Sequence, residues 1–307
     1  MRNEFINSLC IAAKTNEKIV LVVGDLGYSV VEPFAEEFPD RFINSGIAEQ
    51  NMMGLAAGLA SEGYHVFVYS IANFPTFRCA EQIRNDVDYH KLDVTIVTVG
   101  GGVAYGNLGY SHHAVQDLAL MRTMPNMRIF TPTDAEEVAG CMAYLVKNPQ
   151  PSYLRLGKAG EAVKNKSGFY PIPGKLNELK VGNVNKAIIF IGRLNELAFN
   201  LGSEPAFKNF SICSLPCWSM QDKQVFANEL KRYNEVLVIE DHFKDAGLCS
   251  WVQEVKSEYL LDFKASYYGL GFDSIRQVAS EATLMQKGGL CVKNITTNYL
   301  RGIDSFA

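Results

Sequence analysis

The sequence predicts an α/β protein of two domains, each an open, mostly parallel sheet flanked by helices. Three observations carry this. Short β-rich runs alternate with longer stretches of helical pattern, the order that builds parallel sheets with crossover helices. The alternation breaks once, in the polar, Gly- and Pro-containing stretch "KNKSGFYPIPGKLNELKVGN", and then resumes. With 307 residues, 48% of them hydrophobic, the chain is long enough to give each domain its own core.

Taken in order, "KIVLVVGDL", "HVFVYS", "DVTIVTVGGG" and "MRIFTPT" read as strands, each followed by a candidate helix, and after "PSYLRLGK" the pattern dissolves. The first domain is therefore placed at residues 1–165 and the linker at 166–182. The second domain, 183–307, opens on "KAIIFIG", continues through "FSICSL" and "EVLVIEDH", and ends in a helical tail. In such sheets ligands sit beyond the C-terminal ends of strands, so the residues after "LVVGD" and the run Gly100 to Gly102 are natural site material. A tight turn explains three glycines equally well.

The net charge of -4, with Lys and Arg scattered, offers no footprint for nucleic acid and no polybasic run for anionic lipid. No apolar run approaches the roughly 18 residues that span a bilayer, and the N-terminus carries Glu4 without an apolar segment, so a cytoplasmic location is expected. Seven cysteines, scattered apart from "CSLPC" (Cys213, Cys217), suit reduced thiols better than disulfides or a metal site. A small uncharged or anionic metabolite is the expected partner.

"INSGIAEQNMMGLAAGLASEG" places Glu49 among apolar and very small residues. A helix beginning near Asn51 would present Gly54, Ala57, Gly58 and Ala60 on a face that another backbone can approach closely. Glu49 is then either a first-turn carboxylate favoured by the helix dipole, or a desolvated acid able to share a proton with a ligand nitrogen.

The same stretch resembles the segment of transketolase and its relative deoxyxylulose-phosphate synthase that carries their cofactor-activating glutamate. "EQIRNDVDYHKLDVTIVTVGGG", "LALMRTMPNMRIFTPTDAEE" and "PSYLRLGK" are similar to the segments that come next along the chain in that family, in order and spacing. The resemblance is dense over residues 1 to 160 and loose after 183. It implies a pyrimidine-binding domain, a transketolase C-terminal domain, and thiamine diphosphate as cofactor. Glu49 would hydrogen-bond N1′ of the aminopyrimidine and so promote loss of the thiazolium C2 proton. Phe74 and Phe77 of "YSIANFPTFR" are the candidates to stack on the pyrimidine, with Tyr69 behind them and Ile71 where the family usually has an aromatic ring.

Complete transketolases hold the diphosphate and Mg2+ on a further domain with a Gly-Asp-Gly motif and a later Asn. "GDL" at Gly24 to Leu26 lacks the third glycine. The resemblance therefore implies that a separate N-terminal-type subunit supplies the diphosphate site and the Mg2+ ligands, in an α2β2 assembly. The family's G-x-D-G-P-T-H substrate loop corresponds to "GNLGYSH", with Leu108 in place of the aspartate and His112 retained as the acid/base or donor group. His113 comes directly after it. Arg2, Ser29 and Arg155 match phosphate-site positions of the family, Arg155 through its bidentate geometry, whereas the family's histidine there falls at Gly100. "VIEDHFKDAGLCSWVQE" resembles a segment of the family's C-terminal domain, and this second domain is expected to support the dimer rather than the chemistry.

The implied function is transfer of a two-carbon ketol unit between sugars or sugar phosphates in carbohydrate metabolism. The β subunit of a 2-oxoacid dehydrogenase and a deoxyxylulose-phosphate-synthase-like subunit share the two domains. A non-catalytic scaffold would share only the fold.

Overall fold

The computed structural model describes residues 1–158, 162 and 164–303. Its strands, in chain order, are β1 (Ile19–Val23), β2 (Phe42–Asn44), β3 (His65–Ile71), β4 (Val94–Val99), β5 (Arg128–Phe130), β6 (Ser152–Leu156), β7 (Asn177–Lys180), β8 (Lys186–Phe190), β9 (Ser211–Ser214), β10 (Cys217–Trp218), β11 (Glu235–Ile239) and β12 (Lys264–Tyr268). They form a 7-stranded sheet in the order β10-β5-β6-β4-β3-β1-β2 and a 5-stranded sheet in the order β12-β11-β8-β9-β7. The pairings are parallel except β10 on β5 and β7 on β9, both at sheet edges.

β1, β4, β6 and β11 are buried along their whole length, as parallel strands covered on both faces must be. Alternation along β3 divides the first unit's core. Val66 and Val68 face Met52, Met53 and Ala56 of the helix Glu49–Ser61, while Phe67 and Tyr69 face Phe5 and Leu9 of the helix Arg2–Thr15.

Three features depart from the sequence reading. β7 lies inside the stretch 166–182 expected to be a linker. β12 precedes the helices Glu281–Lys287 and Val292–Leu300, so the second unit does not run straight into a helical tail. β10, from the second half of the chain, joins the first sheet, where Cys217 pairs with Phe130 and Trp218 with Ile129. Thus Cys213 and Cys217 of "CSLPC" lie on different sheets, both buried and both free thiols.

A buried carboxylate stitches the two units together. Glu137, in the first turn of the helix Ala135–Lys147, accepts from the Thr133 N–H at 2.8 Å, from the Asn177 amide at 2.7 Å and from the Ser214 hydroxyl. Burial pushes this carboxyl up to about 7, because the charged form is the one that loses hydration.

His65 at the start of β3 is buried, its Nε2 is 3.1 Å from Thr95 Oγ1, and its Nδ1 has no partner. Desolvation lowers its imidazole from 6.5 to about 4. The unfolded chain takes up a proton near pH 6.5 that the folded chain refuses until about pH 4, so between these values the unfolded state binds more protons and stability rises with pH. This contribution is fully present above pH 6.5 and is lost as the pH falls towards 4. Denaturant unfolding of the wild type and His65→Gln over this window should show the variant's slope reduced by up to about 1.4 kcal/mol per pH unit.

Among the described residues no helix is long and apolar enough to cross a membrane.

Candidate active site

Glu49 is the first residue of its helix, two positions earlier than the sequence reading placed the start, and is 5% exposed. The positive end of the helix favours its carboxylate. Oε1 accepts from Arg78 Nη1 at 2.6 Å. The same guanidinium lies 4.3 Å from the centre of the Phe74 ring, a cation–π geometry. Phe74 in turn meets the His112 ring edge-on at 5.1 Å.

Local sequence explains the row. Phe74 and Arg78 are one helical turn apart across the short helix Asn73–Phe77, so their side chains meet. The Asn73 amide donates to the Ser111 carbonyl at 2.8 Å and fixes the turn Tyr110–His112 against Phe74. Burial, and then the Arg78 charge, lower the His112 imidazole below its ordinary value. Carboxylate, guanidinium, aromatic ring and imidazole thus succeed one another from the helix start to the loop. Beside Glu49 an open cavity of 470 Å³ is bounded by Ile47, Ala48, Gln50, Asn51 and Arg78.

The other expected residues divide. Phe77 shares the short helix with Phe74 and is 46% exposed. Tyr69 and Ile71 do not join Glu49. Odd positions of β3 face the opposite side of the sheet, where Tyr69 stacks on Phe5 at 5.8 Å and Ile71 packs against the same core. His113 is turned inward and buried, which lowers its imidazole, as does neighbouring His112. Arg2 lies beside the Tyr69 and Tyr105 phenols, which burial raises and its charge pulls back. Ser29 is exposed, with φ of 62° and its N–H donated to Glu32 Oε1 at 2.7 Å.

Arg155, expected on a phosphate, is instead buried at the joint between the units, 2% exposed. Nε donates to Asp117 Oδ2 at 2.8 Å, Nη1 to Asp241 Oδ1 at 2.5 Å, and Nη2 to the Ala114 carbonyl at 2.8 Å. The Tyr153 hydroxyl also donates to Asp117 Oδ2, at 2.6 Å. Two carboxylates that outcompete water in a dry site hold the guanidinium.

"VIEDH" completes this joint within the chain. Glu240 accepts the Leu248 and Cys249 N–H groups at 2.7 and 2.8 Å, and His242 donates from Nδ1 to the Phe243 carbonyl at 2.6 Å. The glycine run serves it too. A Cβ on Gly101 would stand 2.5 Å from Arg155 Cζ, and Gly102 turns at φ of +64°. Gly101→Ala should cost about 1–3 kcal/mol in denaturant unfolding through overpacking.

Arg78 is the site residue that sequence reasoning missed. Its signal is the helical spacing from Phe74, but its ion-pair partner is 29 residues away in the chain.

Fold and site define a two-sheet α/β protein with an acid–aromatic–imidazole cluster at one open edge. The family model "Transketolase, pyrimidine binding domain" matches residues 1–160. The chain is 35% identical over 261 residues to an apulose-4-phosphate transketolase subunit of Phocaeicola vulgatus, covering 84% of this chain and 83% of that one. It is 41% identical over 157 residues to "Putative transketolase C-terminal section" of Methanocaldococcus jannaschii, covering 51% and 50% of the two chains. A solved structure described as "Split gene transketolase, inactive beta4 tetramer" matches with a TM-score of 0.84 at 30% identity, over 98% of this chain and 97% of that one. The chain belongs to the transketolase family.

Proposed function

We propose that this chain is one subunit of a split transketolase-like enzyme that moves a two-carbon ketol unit between sugars or sugar phosphates. The observation that carries this reading is Glu49, a buried carboxylate at an open cavity, linked through Arg78 to the Phe74 ring that meets His112. The residues present fit the aminopyrimidine half of thiamine diphosphate, with an acceptor for a ring nitrogen and an aromatic face beside it. Tyr69 and Ile71 are left out of this role. When bound, the cofactor supplies carbanion stabilisation.

The chain's own residues prepare for that chemistry. Arg78 occupies Oε1 and balances the buried charge, so Oε2 is the oxygen that can hold or move a proton at the ring nitrogen. His112, its imidazole biased towards the neutral form, can accept a proton from a substrate hydroxyl and return it. Arg2 and Ser29 remain candidates for the far end of the substrate. Arg155 is held by Asp117 and Asp241 at the joint between the sheets.

The diphosphate and Mg2+ fall to a partner subunit in an α2β2 assembly in the cytoplasm. Ile47 at the cavity and Leu108 and Tyr110 in the loop before His112 are exposed, apolar surface of the kind interfaces cover. Gly54 and Gly58 are exposed on the Glu49 helix, and nothing lies within 4 Å of where a Cβ would stand on either, which leaves room for a neighbouring backbone. The division into domains 1–165 and 183–307 is kept, with β7 assigned to the second sheet.

The test is affinity purification of the full chain from its host with thiamine diphosphate and Mg2+ present, then native mass spectrometry. A stoichiometric partner with a Gly-Asp-Gly motif and bound cofactor is the expected result. A homo-oligomer that neither binds cofactor nor recruits a partner would overturn the proposal.

A further inference from the structure

Arg78 stands between the two groups of this site that can carry a proton. It follows the short helix Asn73–Phe77, and its backbone N–H donates to the Phe74 carbonyl at 3.3 Å. Nη1 meets Glu49 Oε1 at 2.6 Å, and Cζ lies 4.3 Å from the centre of the Phe74 ring. The His112 ring is 5.1 Å from that same centre, with Nδ1 3.0 Å from Ser111 Oγ. Because Ser111 engages Nδ1, Nε2 is the nitrogen left for proton exchange.

The neighbouring titratable groups add no competing charge. Burial, and then Glu49, push the Cys79 thiol up to about 12, so it stays neutral. Burial, and then His112, lower the His113 imidazole, which is neutral near pH 7 for that reason. Among the described residues Arg78 is the charge that acts on the His112 imidazole, after burial has lowered it. While Glu49 is ionised, its carboxylate balances this guanidinium. When Glu49 takes up a proton, the positive charge is left without its counter-ion. An apolar ring in contact with both guanidinium and imidazole displaces water there, so the field is weakened less than in bulk solvent.

We propose that Arg78 is a positioning residue that couples the two ends of the site, so that a loss of charge at Glu49 is felt at His112. A proton gained by the acid at the cavity loosens the proton held in the loop, and by linkage the effect is reciprocal. The imidazole is thereby biased to its base form when the acid is protonated. The catalytic meaning of this rests on the roles proposed for Glu49 and His112, whereas the coupling is a property of the free chain.

The test is an NMR titration of His112 in the full chain with labelled histidine. The chain has 5 histidines, and His112→Gln assigns the resonance. Arg78→Met keeps hydrocarbon over Phe74 and removes the charge. It should raise the His112 midpoint by about 0.3–1 pH unit, the effect of one charge acting across several ångströms at a partly exposed site. Arg78→Lys should stay near the wild type. Glu49→Gln should move the midpoint down, and this movement should largely vanish when Arg78→Met is added. With the partner and cofactor present, Arg78→Met should shift the acid limb of kcat/KM to higher pH, because the imidazole then keeps its proton longer. A His112 midpoint that neither single variant moves would overturn the coupling, as would a Glu49→Gln shift that persists in full without Arg78. Shifted midpoints with an unmoved kinetic limb would uphold the coupling and remove His112 as the base.

Discussion

Glu49→Gln, assayed in the complex with the diphosphate-binding partner, lowers kcat by about 10²- to 10⁴-fold, the usual contribution of a positioned proton-transfer group. The substitution keeps the side chain's volume and leaves its oxygen able to accept from Arg78, 2.6 Å away in the wild type. What it removes is the ionisable group at the cavity edge. The Arg78 side chain is 49% exposed, so the free chain should lose less than about 1 kcal/mol of unfolding free energy from the weakened pair. Steady-state kinetics and denaturant unfolding on one preparation separate the two effects. Activity within a few-fold of wild type would end the assignment of Glu49 as the activating acid, whatever the stability result.

Arg155→Ala should have the largest effect on stability, about 3–5 kcal/mol, since removing one partner of a buried ionic cluster leaves the others uncompensated. Here both Asp117 and Asp241 lose their cation in a site where Arg155 is 2% exposed. Arg155→Lys should recover only part of this, because one ammonium cannot reproduce donors on Nε, Nη1 and Nη2 that point to different acceptors. Urea unfolding reads the effect directly. A variant of wild-type stability whose KM for phosphorylated substrates alone is raised would restore Arg155 to the phosphate role the sequence suggested.

These two residues also mark how far the sequence can be read. The hydrophobic runs of β1, β3, β4, β8 and β11 are long and apolar enough to stand out from their helical surroundings, and they set the α/β class. β2, β10 and the edge strand β7 have 3, 2 and 4 residues, too short for a period to register, and their pairing is decided by what the sheet edge still lacks. Glu49, Phe74 and His112 were legible through motifs, and the structure brings them together. Arg78 escaped because its partner is remote in sequence, and the ion pairs of Arg155 escaped because Asp117 and Asp241 reach it only after both sheets have formed. The exclusion of Tyr69 from the cluster could have been foreseen, since it shares its parity along β3 with Phe67 and the core beneath the first helix.

The return of Cys217 and Trp218 to the first sheet makes the two halves interdependent in heredity as well as in space. A gene truncated between 166 and 176 would encode a sheet whose β5 edge has lost its hydrogen-bonding neighbour, with Ile129 and Phe130 at an open border and Glu137 deprived of Asn177 and Ser214. Unpaired edges of this kind template aggregation. A chain cut between the two sheets is therefore expected to be poorly soluble, because the second half carries part of the first sheet's border.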